Sequence, residues 1–322
     1  MKLLSGMRDW PALKALFGFV WRISARDQIF LSILAVSVFL VDLVPLELQR
    51  RITNAAVGKH DFKIVILLCA AYAGCAAVLG ALKFWMSVYR GSVTERANRD
   101  LRLSENLTGM TRAGSHSGSE AEGVAISIVV SEVEAVGGFV GNSFSEPVLT
   151  CGILISVFGY MLVVQPWLAL VALMLFIPQV GFIPLLQNAI NRRTQRRIQV
   201  VRKLSVDIVE GAQDKSVSRE RTFKRRARRV YDLNMQIYRR KFGMNFLMNL
   251  FYHLGVVGIL LVGSWQVIRG ETEIGTIVAF ISGLNRMNDP WGDLVNYFRD
   301  LTNAAVKYQL ITRVIHAQSP AK

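Results

Sequence analysis

The sequence predicts an all-α membrane protein with six transmembrane helices and long cytoplasmic extensions. Three observations carry that expectation. The chain of 322 residues is 52% hydrophobic, with a mean hydropathy of +0.34, which is more apolar than a soluble domain of this size. Five runs approach the ~20 apolar residues that a bilayer crossing needs: residues 29–46, 64–82, 148–164, 168–186 and 246–267. The basic residues gather in blocks between these runs. On a soluble protein a formal charge of +15 would point to nucleic acid. In blocks beside apolar runs it marks the cytoplasmic flanks of membrane helices, and no nucleic-acid partner is expected.

Residues 1–27 are expected to form a cytoplasmic N-terminus ending in an interfacial helix. Leu13, Leu16, Phe17, Val20 and Trp21 recur at helical spacing, with Lys14, Arg22 and Arg26 largely off that stripe. That is the pattern of a helix lying in the membrane surface. Arg8, Asp9 and Lys14 break any signal-peptide core. Residues 28–317 are expected to form one six-helix domain, and residues 318–322 a short cytoplasmic tail. Cys69, Cys75 and Cys151 sit inside apolar runs and read as small packing residues, not disulfides or metal ligands.

Orientation follows the positive charge. Arg90, Arg96, Arg99, Arg102 and Arg112 follow the second run, and further basic blocks occupy residues 192–203 and 224–241. The short connection between the third and fourth runs, "VVQPW", carries no charge. Both termini and the two long connections therefore face the cytoplasm. Arg50, Arg51, Lys59 and Lys63, in the first outward connection, run against the rule. The expected location is a bacterial inner membrane.

The long connections are too regular to be loose coil. Val93, Ala97, Leu101, Ser104 and Leu107 hold helical spacing. So do Ile190, Ile198, Val201, Leu204 and Ile208, and on the return path Phe223, Ala227, Val230, Leu233 and Ile237. A helix over residues 64–110 would be about 70 Å long, against a hydrocarbon layer of ~30 Å, so roughly half of it projects into the cytoplasm. A projecting apolar stripe has to be buried against other projections or a second copy of the domain. The projections turn round at "AGSHSGSEAEG", residues 113–123, and "EGAQDKSVSRE", residues 210–220. These are small, polar, breaker-rich tips.

A sixth run begins at Ile274 but stays purely apolar only to about Leu284, after which Arg286, Asp289, Pro290 and Asp293 arrive. Ionisable groups at membrane depth normally face a bundle interior or a watery cavity. Arg286 and Asp289, three apart, are expected to share a face and pair, with Asp293 one turn on. On the fifth run Asn249 and His253, four apart, also share a face. An interhelical hydrogen bond is the competing reading of that pair. Asn249, His253, Arg286, Asp289 and Asp293 are the candidate pathway residues. Asp42 and Glu146 read as residues at interface depth. No phosphate loop, metal cluster or nucleophilic triad stands out, so the chain is expected not to be an enzyme and to hold no cofactor or metal of its own.

Taken in order, the motifs resemble the transmembrane domain of exporter-type ABC transporters, the type I exporters of type IV fold, over nearly the whole chain. The elbow-like N-terminal helix leads into a first span with a proline, Pro45. Gly123 precedes Glu132 within "SEVEAV", "QPWLALVAL" opens the fourth span, and "EGAQDKSVSRERTF" matches the second coupling segment. "RGETEIGTIVAF…DPWGDL" places Gly270, Thr272, Gly275 and Pro290 in register with the sixth-helix signature. Ile128 stands where the family often has a basic residue, and Lys215–Ser216 where an apolar and then a basic residue are usual.

The resemblance implies that the sixth helix continues beyond Pro290 to about Ile315. It also implies a homo- or heterodimer in the bilayer, with alternating access driven by a separate ATPase chain that carries the ATP and magnesium. Coupling to that ATPase would fall on Glu120, Glu122, Gly123, Ser127, Gly211, Gln213, Asp214 and Lys215. No nucleotide-binding domain is recognised in the chain itself. Two alternatives stay open: a transport-inactive scaffold or regulator, and an ion-coupled carrier on the same fold.

Overall fold

The computed structural model describes residues 10–58, 62–110, 133–211 and 217–317. Seven helices account for nearly all of them: α1 (Trp10–Val57), α2 (Phe62–Met110), α3 (residues 133–142), α4 (Ser145–Val164), α5 (Pro166–Gly211), α6 (Val217–Ile268) and α7 (Ile274–Ala317). Stretches of α1, α2, α4, α5 and α6 are long and apolar enough to cross a membrane. These five correspond to the five runs of the sequence. By composition α7 falls short, because its charges begin at Arg286, about three turns from its start. It nevertheless runs unbroken through Pro290 for 44 residues, so the helix does not end where the charges appear.

The helices fall into two units, Met1–Val164 with Glu273–Lys322, and Gln165–Thr272. In the first, α1 bends at Ser24, whose backbone leaves helical geometry (φ −138°, ψ 29°). The bend separates an N-terminal helix from the long first span. On that N-terminal helix the expected stripe is real, with Leu16 and Val20 fully buried. Phe17 packs edge-on against Phe139 and Phe144, while Trp21 stays half exposed.

A buried polar chain fixes the bend. The Ser24 hydroxyl donates to the Val20 carbonyl at 2.9 Å. The Gln28 amide donates to Ser24 Oγ at 3.1 Å and to the Val140 carbonyl at 2.8 Å, and the Ser143 hydroxyl donates to Gln28 Oε1 at 3.2 Å. Every group in it finds a partner, as burial demands. On α2, the predicted stripe of Val93, Ala97 and Leu101 is buried in the core of this unit.

The third span is not one helix. α3 and α4 are parted by a turn at Ser143–Phe144, and Pro147 explains the break. Having no N–H, it cannot donate to the carbonyl of Ser143, four residues back. That carbonyl instead accepts the Tyr297 hydroxyl at 2.7 Å, which ties α7 to the turn.

Two of the four basic residues that run against the charge rule, Arg50 and Arg51, have a local account. α1 continues to Val57, so Arg50 and Arg51 lie on helix, and both bind Glu47, at 2.9 and 2.7 Å. Their charge is partly neutralised on the spot, which weakens its vote on orientation. Cys69, Cys75 and Cys151 are all free thiols, and Cys69 is exposed.

The second unit is an antiparallel pair, α5 of 46 residues and α6 of 52 residues. Phe182 stacks on Phe251 with ring centroids 5.5 Å apart. Further along, Arg193 Nε donates to Gln236 at 3.2 Å and Arg226 to the Lys203 carbonyl at 3.2 Å. At about 1.5 Å per residue these helices reach roughly 70 and 80 Å, more than twice the hydrocarbon thickness of ~30 Å. Within the pair Leu233 and Ile190 are buried, but Ile198, Val201 and Phe223 of the predicted stripes remain exposed. α6 closes on Gly270 (φ +75°), with Gly270 N–H donating to Val267 O at 3.0 Å and Glu271 N–H to Gln266 O at 2.9 Å. These are the two bonds of a Schellman cap, in which the left-handed residue needs no Cβ.

Candidate functional site

In the first unit α7 runs antiparallel to α1. Gly275 lies against Asn54 and Arg50, Arg286 against Asp42, and the Phe19 and Tyr308 rings meet at 4.9 Å. Beyond Pro290, α7 carries a polar stripe: Asp293, Asn296, Asp300, Asn303 and Lys307. Steps of three and four place all five on one helix face. That face lines a cavity of about 570 Å³, with Ala135, Phe139 and Asn142 of α3, Glu146 of α4 and Arg90 of α2 on the other sides. The size suits a small-molecule site.

The charges here are arranged, not scattered. Arg90 Nη1 donates to Glu146 Oε2 at 2.6 Å, with both side chains about four-fifths buried. The remaining donors of Arg90, Nε and Nη2, are buried and bond nothing in the protein, and neither does Asn142 Oδ1. Asp293 is exposed on the cavity wall, within electrostatic reach of Glu146. Asp300 pairs with its neighbour Arg299 at 3.0 Å. Tyr297, locked to Ser143, stands against Phe139 at a centroid separation of 5.9 Å and gives the cavity a firm aromatic wall.

Of the five candidate pathway residues, only Asp293 lines this cavity. The expected Arg286–Asp289 pair does not form. Arg286 Nη1 binds Asp42 Oδ1 at 2.7 Å and also donates to the Asp42 carbonyl at 2.8 Å, while Asp289 is exposed. A neighbouring helix offers Arg286 a buried carboxylate, and this outcompetes a solvated partner one turn away. Asp42, read as a residue at interface depth, is buried between helices: its side chain is 7% exposed and lies between Arg286 and Lys83, the latter at 3.7 Å. Glu146, given the same reading, is a cavity residue.

Asn249 and His253 lie on α6 of the second unit, both exposed, with the His253 ring edge-on to Tyr252 at 5.2 Å. Of the coupling residues, Glu120, Glu122, Gly123, Ser127, Gln213, Asp214 and Lys215 lie outside the described residues, and Gly211 is the last residue of α5. Sequence reasoning missed Asn296, Asp300, Asn303 and Lys307, although their three-and-four spacing was there to be read. Arg90 had been counted for orientation alone.

A family model described as the ABC transporter transmembrane region matches residues 29–291. That stretch covers the five apolar runs and α7 through Pro290. The comparison with curated proteins gave no match.

Proposed function

Because the chain belongs to the ABC transporter transmembrane-region family, and so is an integral membrane protein, we propose that it is the permease subunit of an exporter-type ABC transporter. In this reading α7 is the sixth span, and both termini and the tips of the long helices face the cytoplasm of a bacterial cell. A second transmembrane subunit covers the apolar residues that α5 and α6 leave exposed beyond the hydrocarbon, Ile198, Val201 and Phe223 among them. A separate ATPase chain binds ATP and magnesium and presses on the two tips, at Glu120–Gly123 with Ser127 and at Gly211–Lys215. Its closure rocks the long helices and switches the cavity between inward and outward access. Such switching requires that the ATPase states make different contacts with the tips.

The observation that carries this reading is the polar stripe of α7. A helix that continues past its apolar run with a polar face turned to a cavity suits a passage better than an anchor. The test is to purify the full-length chain from native membranes and identify what comes with it. An ATP-binding chain is expected, and Glu122→Ala with Asp214→Ala should abolish stimulation of its ATPase activity without loss of membrane insertion. If no ATPase associates and the tip substitutions are silent, the permease reading fails in favour of a scaffold or an ion-coupled carrier.

A further inference from the structure

The second unit brings cations together in a way that sidedness alone does not require. Residues 187–206 of α5 and 233–249 of α6 are rich in Arg and Lys and hold no Asp or Glu. The helices run antiparallel, and where these stretches touch, two guanidiniums meet on one glutamine. Arg193 Nε donates to Gln236 Oε1 at 3.2 Å, and Arg240 Nη1 donates to the Gln236 carbonyl at 3.2 Å. The charged groups that act on Arg193 are Arg240, Arg196 and Arg192, all cations. Asp232, the nearest acid along α6, lies one turn further from the apolar run. Setting the orientation of a span needs basic residues near its ends, but not two of them side by side on different helices, where they repel.

Both arginines keep unused donors. Arg193 Nη1 is taken by the Ala189 carbonyl at 3.0 Å, which leaves Nη2, and Arg240 is left with Nε and Nη2. None of the three bonds an acceptor among the described residues, and none belongs to the buried unpaired atoms, so an anion can reach them. Depth says which anion does. Arg193 folds back onto Ala189, three residues past the apolar run that ends at Leu186, and Arg240 stands six residues before the run that starts at Phe246. At 1.5 Å per residue these points lie roughly 5–9 Å beyond the runs, and headgroups extend the hydrocarbon by roughly 5–8 Å on each side. Tyr238 and Phe242, stacked and exposed, mark the same level, since aromatic side chains favour the bilayer surface. A protein partner would have to enter the headgroup layer to touch this patch, whereas a lipid phosphate is already there. We propose that Arg193 and Arg240 bind the phosphate of an anionic diacyl phospholipid in the adjoining leaflet. Guanidinium forks suit phosphate oxygens. The site needs α5 and α6 to cross the bilayer, and it goes beyond the permease reading, whose cargo and motor it does not involve.

The test is native mass spectrometry of the full-length chain, titrated in detergent with dioleoylphosphatidylglycerol and, separately, with dioleoylphosphatidylcholine. The two lipids share acyl chains and a phosphodiester and differ in net charge. The first phosphatidylglycerol should bind about thirtyfold tighter than the first phosphatidylcholine, the worth of two arginines at a membrane surface. Arg193→Gln with Arg240→Gln should shrink that preference to about threefold or less, with a melting temperature unchanged or raised because repulsion is relieved. Arg228→Gln with Arg229→Gln removes the same charge from exposed positions further from the apolar run and should leave the preference intact.

Glycerophosphoglycerol, the same headgroup without acyl chains, separates a lipid site from a phosphate site. It should fail to displace phosphatidylglycerol at equal concentration, and displacement by it overturns the lipid assignment in favour of a free phosphate ester. Equal binding of the two lipids by the unsubstituted chain overturns the proposal. So does a preference that survives the Arg193 and Arg240 substitutions, or one that falls as far in the Arg228 and Arg229 control. Loss of an associated protein from the Arg193 and Arg240 variant, with the lipid preference unchanged, would reassign the patch to a protein contact. The titration needs neither ATP nor a second chain. A preserved lipid preference without any associated ATPase would therefore sink the permease reading alone, and an associated ATPase without that preference would sink the lipid site alone.

Discussion

Two side chains show how a polar residue inside the bundle is accommodated. Asp42 faces two cations, Arg286 at 2.7 Å and Lys83 at 3.7 Å. Removing one member of a buried pair leaves an uncompensated charge and costs about 3 kcal/mol or more, whereas replacing both by apolar groups of similar size is often nearly neutral. Asp42→Leu is therefore expected to lower the denaturation midpoint of the detergent-purified chain strongly, and Asp42→Leu with Arg286→Met to recover most of the loss. If the double substitution is as damaging as the sum of the singles, the two residues are not coupled. Tyr297 answers a backbone need. Its hydroxyl satisfies the Ser143 carbonyl that Pro147 leaves free, so Tyr297→Phe should cost about 1–3 kcal/mol, read in the same denaturation assay. Tyr297→Phe combined with Pro147→Ala should recover part of it, since alanine restores the donor four residues on.

The start of α7 depends on α1. Asn54 Oδ1 accepts the Gly275 N–H at 2.8 Å, and the Asn54 amide donates to Glu273. This is a helix cap supplied from another helix. Any Cβ at Gly275 would collide with the Arg50 carbonyl and the Asn54 side chain. Asn54→Ala should therefore cost about 1 kcal/mol. Gly275→Val should cost more, because the new Cβ meets the Arg50 backbone carbonyl, which cannot yield as a flexible side chain can, and the melting temperature of the purified chain should order the two this way.

Elements of this kind divide what the sequence discloses from what it hides. Five spans could be read because each is a continuous apolar run, and the continuation of α7 past Pro290 because the sixth-helix motifs resemble those of the family. The break between α3 and α4 was equally present, in Pro147, but a proline near a helix start is compatible with an unbroken helix until the carbonyl it strands is located. The partner of Arg286 could not be read. Local spacing offered Asp289 three residues away, and the winning carboxylate is 244 positions distant in sequence. Arg90 is hidden for the same reason, since its role depends on Glu146 approaching from another helix.

At the scale of the molecule, helix length is what distinguishes a bundle that fills a bilayer from one that reaches out of it. α2 spans 49 residues, about 74 Å at 1.5 Å per residue, so more than half of it extends beyond a hydrocarbon layer of ~30 Å. α6 has 52 residues and its apolar run occupies only the final two-fifths or so, so its N-terminal part is expected in water. Four exposed positions report on both ends: Lys63 beside the α1–α2 connection and Glu271 between α6 and α7, Arg102 on α2 and Lys224 on α6 far from those connections.

With Cys69, Cys75 and Cys151 replaced by alanine, a single cysteine at each position can be challenged with a membrane-impermeant maleimide. In intact cells, cysteines at 63 and 271 should label, and those at 102 and 224 should be protected. In inverted vesicles the pattern should reverse. The basic blocks predict this sidedness through the cost of carrying arginine and lysine clusters across the bilayer, and the helix lengths predict that 102 and 224 are reached by water at all. Protection of 102 and 224 from both sides would place the projections inside the membrane or beneath a tightly bound partner. Labelling after a salt wash that strips peripheral chains would identify the partner, and continued protection would mean that these helices are not levers standing clear of the bilayer.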